Sequence, residues 1–317
     1  MQNKSLFLKY NKVTNESFSI LSQLFNNHTI SDLSTFGKNI DILSYDQVDK
    51  FLTPLLPFST IFIGDIFWPT GQNICKWCIS HSVSSCFIQH GQWIYVKNKM
   101  NPRHLPSLTC VYGDNIANMV NSWPYGHKSK VVSTGNPRYD NIEINDNRHD
   151  CIYFCPPVMK EIVPSGPDRM DENSVIAVKS LIGIDRIAKL SIHPHYREGW
   201  VDYLHEWFPE AVFIDQSENA LTHIQQSDLV ITHRNSTSVL DAIACGKKAI
   251  LINFNNIITS FFNNGYFKDF AVECDNAQSC LKYCSKYQVG HIANSYIEDA
   301  KPYLYLGDAS KRIAEMV

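Results

Sequence analysis

Short apolar runs recur along this chain, and a segment with helical spacing follows most of them. In the first half of the chain, the runs are residues 5–10 (SLFLKY), 41–44 (DILS), 59–63 (STIFI), 85–89 (SCFIQ), 109–112 (TCVY) and 130–133 (KVVS). Strands that alternate with helices pair in parallel, because each helix returns the chain to the same end of the sheet. The pattern therefore predicts an α/β fold made of parallel βαβ units.

A polar, charge-mixed stretch, residues 141–150 (NIEINDNRHD), separates this series from a second one. The second series comprises residues 151–154, 189–192, 211–214, 229–232 and 249–253. The length of 317 residues suits two domains of roughly 150 residues each. We predict two parallel-sheet domains, over residues 1–145 and 146–317, with the active cleft between them. The amphipathic terminal helix packs either within the second domain or back against the first domain.

The composition excludes some classes of protein. A net charge of -3 gives no general signal for nucleic-acid binding. No stretch approaches the roughly 20 apolar residues of a membrane span, and the first residues (MQNKSLFLKYNK) lack the apolar core of a signal peptide. We therefore expect a cytoplasmic protein, and peripheral contact with a membrane stays open. Several of the ten cysteines lie inside apolar runs, which is typical of buried thiols in a reducing compartment.

Two segments of the second half have the chemistry of a phosphate site. His193 ends an apolar run directly before a proline, and a histidine there binds a phosphate oxygen or carries a proton near neutral pH. Ser236, Thr237 and Ser238 precede an apolar helix, whose free N–H groups attract anions. A single hydroxyl in this position is equally typical of a simple helix N-cap. Asp241, one turn further on, either accepts hydrogen bonds from a ribose or sugar or caps the first turn.

Polar residues that follow other predicted strands are candidates for catalysis. His90 precedes a glycine, which lets a ligand approach the backbone, and acts either as a general acid or base or as a turn-stabilising residue. Asp65 and Glu161 lie in loops after predicted strands, so each is a candidate general base, and Glu161 is also a candidate nucleophile. Arg138 either clamps a phosphate or acidic sugar or ties the two domains together through Asp140.

Several familiar nucleotide-site motifs are missing from the sequence. G-x-x-x-x-G-K-[ST], G-x-G-x-x-G and G-x-S-x-G are all absent, which argues against P-loop NTPases, Rossmann dehydrogenases and α/β-hydrolases. There is also no D-x-D pair, so a metal-bridged diphosphate is not indicated. We expect no metal and no cofactor.

Four segments, in this order, resemble GT-B glycosyltransferases that build bacterial surface polysaccharides. They are residues 85–91 (SCFIQHG), 131–140 (VVSTGNPRYD), 191–194 (SIHP) and 228–250 (DLVITHRNSTSVLDAIACGKKAI). The last segment resembles the donor-binding part of capsule Kdo- and sialyl-type transferases and of CDP-glycerol glycerophosphotransferases. The resemblance implies two Rossmann-like domains, of which the second binds a nucleotide-activated donor and the first binds the acceptor.

The resemblance also assigns roles to residues. It implies that His193 and the three hydroxyls, with Asp241 beside them, hold the nucleotide phosphate of the donor. Arg234 adds a phosphate contact or excludes some donors, and His90 matches the histidine of the family's His-Gly loop.

The implied activity is metal-independent transfer of a CMP-linked sugar, Kdo- or sialic-acid-like, to a glycan or glycolipid at the inner face of the inner membrane. Other polysaccharide-assembly enzymes are possible partners. The alternatives are a CDP-glycerol-type polyol-phosphate transferase, a UDP-sugar transferase or epimerase, and a non-catalytic glycan-binding subunit.

Overall fold

A computed structural model gives the fold of two compact units. It describes residues 4–9, 12–91, 103–143, 151–155, 179, 190–194, 205, 208–215, 218–233, 236–252, 267, 270–286 and 296–317. Of these residues, unit 1 holds those up to Asn141 together with Ile297–Val317, and unit 2 holds those from Ile142 to Tyr296. The division near residue 141 lies at the start of the polar stretch, where the chain has few apolar residues to pack.

Unit 1 contains a six-stranded parallel sheet in the order β2-β1-β3-β4-β5-β6. Its strands are β1 (Ser5–Lys9), β2 (His28–Asp32), β3 (Thr60–Ile63), β4 (Ser84–Ile88), β5 (Leu108–Val111) and β6 (Lys130–Ser133). Its first four α-helices are α1 (Lys12–Leu21), α2 (Tyr45–Leu52), α3 (Pro69–Ser80) and α4 (Asp114–Asn121). The strands with apolar runs are buried on both faces, as parallel strands covered by helices require.

The second strand of unit 1 is not the one that the sequence predicts. Residues 41–44 do not form a strand, because Asp41 and Ile42 end a 3₁₀ stretch (Leu33–Ile42) and the next two residues follow it. The strand that pairs with β1 is β2, at His28–Asp32. Side chains along β2 are at least partly exposed, because β2 is an edge strand. An exposed edge strand needs no apolar run, so the periodicity does not reveal it.

The core of unit 1 is rich in aromatic side chains. The Phe7 and Phe62 rings stack at 4.3 Å between centroids, and Phe18 meets Phe7 edge-on at 5.5 Å. All three side chains have no measurable exposure. Burial of each contributes on the order of 2–3 kcal/mol, so this cluster fixes α1 against the centre of the sheet.

Unit 2 contains a second six-stranded parallel sheet, in the order β12-β11-β10-β7-β8-β9. Its strands are β7 (Cys151–Cys155), β8 (Leu190–Pro194), β9 (Val212–Phe213), β10 (Leu229–His233), β11 (Lys248–Ile252) and β12 (Ala271–Cys274). The described helices that follow are α5 (Ala220–Gln225), α6 (Ser238–Ala244), α7 (Ala277–Lys286) and α8 (Tyr296–Ala300). β12, α7 and α8 are not among the elements that the sequence predicts.

The C-terminal segment completes unit 1. Its helix α9 (Ala309–Ala314) begins where the Asp140 carboxylate accepts hydrogen bonds from the backbone N–H groups of Ala309 and Ser310, at 2.7 and 2.8 Å. The Arg312 guanidinium donates two hydrogen bonds to the carbonyl oxygen of Thr134, at 3.0 and 2.7 Å. These contacts attach the terminal helix to the loop that follows β6.

Both sheets have a topological switch point, where the chain reverses its direction of travel across the sheet. In unit 1 the switch lies between β1 and β3, and in unit 2 it lies between β7 and β10. Open α/β sheets bind ligands outside the carboxyl ends of the strands at such points. The loops after these strands are therefore where candidate site residues are expected.

Candidate functional site

The switch point of unit 1 is built on close backbone packing. Gly64 follows β3, and a Cβ atom at this position would collide with the side chain of Thr14, on the first turn of α1. Thr14 itself is buried. Glycine lets the loop after β3 lie directly against α1, so the carboxyl edge of this sheet is tightly formed near His90 and Asp65.

His90 lies directly after β4, and polar side chains fix the peptide groups on both sides of it. The side-chain amide of Asn136 donates to the carbonyl oxygen of Gln89 at 2.6 Å. The side chain of Gln89 donates to the carbonyl oxygen of Gly91 at 2.9 Å and accepts from the backbone N–H of Tyr112 at 3.0 Å. We call Gln89 and Asn136 the His90 clamp. The clamp leaves the backbone around the histidine little freedom to move.

The ring of His90 is in an environment that favours its neutral form. Burial lowers the pKa of His90, and an interaction with the backbone of Gly64 opposes this only in part. The Nδ1 atom is buried and has no hydrogen-bond partner among the described residues. A neutral imidazole of this kind has a lone pair that accepts a proton at pH 7.

Asp65 is buried beside the same edge of the sheet. Burial raises its pKa from 3.8 to about 6, and hydrogen bonds from the backbone oppose the rise. Its two carboxylate oxygens accept from the N–H groups of Phe67 and Trp68, at 3.2 and 3.0 Å. The carboxylate thus shapes the turn between β3 and α3, and its lone pairs are partly used within the protein.

Arg138 forms a buried ion pair in unit 1. Its guanidinium lies 3.4 Å from a carboxylate oxygen of Glu16, on α1, and 5.3 Å from the centroid of the Tyr139 ring. The Asn136 side chain also accepts hydrogen bonds from the Ser17 hydroxyl, at 2.7 Å, and from the backbone N–H of Arg138, at 3.0 Å. These contacts join the loop after β6 to α1.

In unit 2 the strands β8 and β10 pair with opposite sides of β7. His193 pairs with Phe154, and Ile231 pairs with Tyr153, so His193 and Thr232 stand at the same level of the sheet. Adjacent strands lie about 4.8 Å apart, so the two backbones are separated by about 10 Å. The C-terminal ends of β8 and β10 lie at the same edge of the sheet with β7 between them, and of the two it is β10 that borders the switch point.

The hydroxyl turn, residues 236–238, has a buried part and a partly exposed part. The Ser238 hydroxyl is buried and hydrogen-bonds to the Thr232 hydroxyl at 2.8 Å and, over a very short distance, to the Ser236 hydroxyl. Ser236 and Thr237 are partly exposed. The N-cap residue Thr237 makes no capping hydrogen bond through its side chain. The Ser236 hydroxyl accepts from the backbone N–H of Ser238 at 3.3 Å, so capping accounts for one of the three hydroxyls.

Other predicted residues of unit 2 are described in part. Asp241 is buried within α6, one turn after Thr237, whose carbonyl accepts its N–H at 3.3 Å. The structure describes His193 by its backbone, and Glu161 and Arg234 lie outside the described residues.

The Cys75 and Cys78 pair on α3 does not have the surroundings of a reactive thiol site. Cys75 and Cys78 both lie buried on α3, and burial raises the pKa of Cys78 to about 12, which makes its thiol unreactive. Among the residues that the structure describes, no group of three or more His, Cys, Asp and Glu side chains is arranged to hold a metal ion. Within the same residues, no helix is long and apolar enough to cross a membrane.

Sequence reasoning missed the residues that position His90. Gln89 and Asn136 lie 47 residues apart in the chain, and no local pattern marks either of them as a site residue. Thr14 and Glu16 were likewise missed. The one available signal was that Asn136 stands between Gly135 and Pro137, a combination typical of a fixed turn at a strand end.

The fold is similar to that of several solved structures, whereas no protein-family model and no curated protein matches the chain. UDP-GlcNAc 2-epimerase from Neisseria meningitidis, bound to UDP-GlcNAc, is 14% identical with a TM-score of 0.62, over 99% of both chains. MurG of Acinetobacter baumannii is 9% identical with a TM-score of 0.58, again over 99% of both chains. The wall teichoic acid polymerase TagF is 10% identical with a TM-score of 0.58, over 99% of this chain and 88% of its own. With two Rossmann-like parallel sheets and these neighbours, the chain has the GT-B fold.

Proposed function

We propose that this chain is a metal-independent glycosyltransferase that extends a bacterial cell-surface polysaccharide or lipopolysaccharide. Its donor is a nucleotide-activated sugar, CMP-linked and Kdo- or sialic-acid-like. The acceptor is a glycan or glycolipid, reached from the cytoplasmic face of the membrane. The GT-B fold supports a nucleotide-sugar enzyme, and the four sequence segments support the finer assignment.

The observation that carries this proposal is the state of His90. Its Nδ1 atom is buried without a hydrogen-bond partner among the described residues, and its pKa is lowered. In the proposed reaction, the acceptor hydroxyl gives its proton to this imidazole as its oxygen attacks the anomeric carbon. The bond between that carbon and the phosphate oxygen breaks, and CMP leaves with the electron pair.

Unit 2 binds the donor in this proposal. Ser236 and Thr237, at the start of α6, together with His193 and Arg234, hold the phosphate, and Asp241 accepts a hydrogen bond from the ribose or sugar. Ser238 contributes indirectly, because its hydroxyl orients that of Ser236. Hydrogen-bond donors that are already in place around the phosphate stabilise the leaving nucleotide without a metal ion.

Glu161 and Asp65 are the other candidate bases. Asp65 has a pKa of about 6, which suits proton transfer, but both of its oxygens accept backbone hydrogen bonds. His90 has a buried ring nitrogen without such a partner, so we favour it over Asp65. Arg138 is paired with Glu16, and we assign it to positioning the loop after β6 rather than to the donor.

The donor-site assignment is tested by His193→Ala. We expect turnover to fall by roughly a hundredfold or more, because this is the usual effect of removing one preorganised hydrogen-bond donor from a site that stabilises negative charge. Thermal unfolding of the variant should stay near that of the wild type. Full activity in the folded variant would contradict the assignment. The matched control is His223→Ala, because His223 lies in unit 2 and contacts Glu218 on the surface.

Three alternatives are separated by other measurements. A phosphodiester in the product, detected by phosphorus NMR, identifies a CDP-glycerol-type transferase. Thermal stabilisation by UDP but not by CMP identifies a UDP-sugar transferase or epimerase. Glycan binding without binding of either nucleotide identifies a non-catalytic subunit.

A further inference from the structure

One face of unit 1 carries exposed aromatic rings among cationic side chains. Trp68 has 47% of its surface exposed and Tyr125 has 36%. The cations around them are Lys76, Arg103 and Lys128, all exposed. We call these five residues, together with His104, the Trp68 surface.

Specific contacts bring the parts of the Trp68 surface together. Gln72 lies one helical turn from both Trp68 and Lys76, and its backbone N–H donates to the carbonyl oxygen of Trp68 at 3.1 Å. Its side chain exchanges two hydrogen bonds with the backbone of His104, at 3.0 and 3.1 Å. Residues 103–104 are therefore held beside the first two turns of α3.

A second set of contacts joins the turn after α4 to the same face. The rings of Phe67 and Trp123 meet edge-on, with centroids 6.1 Å apart. The Lys128 ammonium lies 4.9 Å from the centroid of the Tyr125 ring. The pKa of His104 is lowered first by burial and then by the positive charges of Lys76, Lys128 and Arg103, which agrees with this grouping.

The six residues of the Trp68 surface include three cations and no acidic side chain. Asp114 is the only acidic residue between Asp65 and Asp140 in the sequence, whereas the chain as a whole has a net charge of -3. A cationic face on an acidic protein attracts anionic surfaces selectively. Exposed tryptophan and tyrosine rings beside lysine and arginine match the headgroup region of a bilayer, where the ring body is apolar and its edge is polar.

We propose that the Trp68 surface docks unit 1 onto an anionic phospholipid bilayer. The cations neutralise lipid phosphates, and Trp68 inserts among the headgroups. Each lysine or arginine near such a membrane contributes about a fivefold change in binding, so reversal of three charges should weaken binding by well over tenfold. This inference concerns lipid binding alone and does not depend on the transferase activity.

The test is sedimentation of the full chain with vesicles. Vesicles of phosphatidylcholine mixed with phosphatidylglycerol should bind the wild type, and vesicles of pure phosphatidylcholine should bind it much more weakly. The triple variant Lys76→Glu/Arg103→Glu/Lys128→Glu should lose binding more than tenfold. The matched control is Lys179→Glu/Lys282→Glu/Lys311→Glu, which changes the net charge equally at exposed lysines elsewhere and should lose far less.

A separate variant, Trp68→Ser, tests the aromatic contribution. It removes a half-exposed ring and should keep the fold, as circular dichroism and thermal unfolding will report. We expect weaker binding to the anionic vesicles. No wild-type binding to anionic vesicles, or equal losses in the two triple variants, would overturn the proposal. Full binding by Trp68→Ser would overturn the insertion of the Trp68 ring among the headgroups.

Discussion

The side-chain amide of Asn136 donates a hydrogen bond of 2.6 Å to the carbonyl oxygen of Gln89. That carbonyl belongs to the peptide group directly before His90. Asn136 is buried, and its other amide atom accepts from Ser17 and from the backbone of Arg138. A single side chain thus joins the loops after β4 and β6 to α1, and the strongest predictions concern this junction.

Asn136→Asp replaces the side-chain nitrogen, which donates to the Gln89 carbonyl, with an oxygen of similar size. At neutral pH a carboxylate oxygen then faces the Gln89 carbonyl, and we expect unit 1 to lose about 2–4 kcal/mol of stability. Lowering the pH protonates the introduced carboxyl and restores a donor, so the stability gap should narrow in acid. Urea unfolding at several pH values measures this gap. The exposed Asn121→Asp serves as control, and a gap independent of pH would count against the hydrogen-bond account.

The proposed base role of His90 predicts a specific pH profile. Burial lowers the histidine's pKa, so the neutral imidazole persists to lower pH than an exposed histidine would allow. The acid limb of kcat/KM should therefore have its midpoint below the ordinary histidine value of about 6.5. Carbon-13 NMR of the labelled ring should give a midpoint that agrees with the kinetic one. A kinetic midpoint clearly above 6.5 would contradict this assignment.

The raised pKa of Asp65 predicts a pH dependence of stability. The folded protein binds this proton more tightly than the unfolded chain, so the contribution of Asp65 is fully present below pH 3.8 and is lost as the pH rises through about 6. Asp65→Asn removes the titration. Between about pH 4.5 and pH 7, the stability difference should shift by about 2 kcal/mol in favour of the variant.

Urea unfolding of wild type and Asp65→Asn at the two pH values measures that shift directly. Asp46→Asn, at an exposed position on α2, is the matched control and should show a much smaller shift. If Asp65→Asn behaves like the control, the buried carboxylate does not titrate as described.

The C-terminal helix should contribute measurably to the stability of unit 1. Arg312 donates two hydrogen bonds to Thr134 and places its guanidinium 3.9 Å from the centroid of the Tyr305 ring. Arg312→Ala removes both contacts, and we expect a loss of about 2–3 kcal/mol. Lys311→Ala, at the exposed neighbouring position, should cost less than about 0.5 kcal/mol. Thermal and urea unfolding of the two variants compare them, and equal effects would contradict the account.

Much of the fold follows from patterns in the sequence, because buried parallel strands are short and continuously apolar. This is true of β3, β4 and β10, which the sequence places within one or two residues. The edge strand β2 was not predicted, because its side chains are at least partly exposed and such a strand needs no apolar run. Composition therefore marks strands that are buried on both faces and says little about strands at a sheet edge.

The candidate site was predictable in part. Placement of His90 after β4 and of the hydroxyl turn after β10 follows from strand ends, which the sequence marks. That Ser238 turns inward to Thr232, while Ser236 and Thr237 stay partly exposed, depends on how α6 packs on its strand. The clamp on His90 depends on a contact between residues 47 apart, and no local pattern encodes such a contact.

The central claim is tested most directly by coupling CMP release to glycan extension. The protein is incubated with CMP-linked Kdo or sialic acid and an acceptor glycan, and CMP and extended glycan are both quantified by mass spectrometry. We predict that the wild type forms the two products in equal amounts and that His90→Gln, which keeps the fold, is slower by about a hundredfold or more. An extended glycan formed at the wild-type rate by folded His90→Gln, or no CMP release with either donor, would contradict the account.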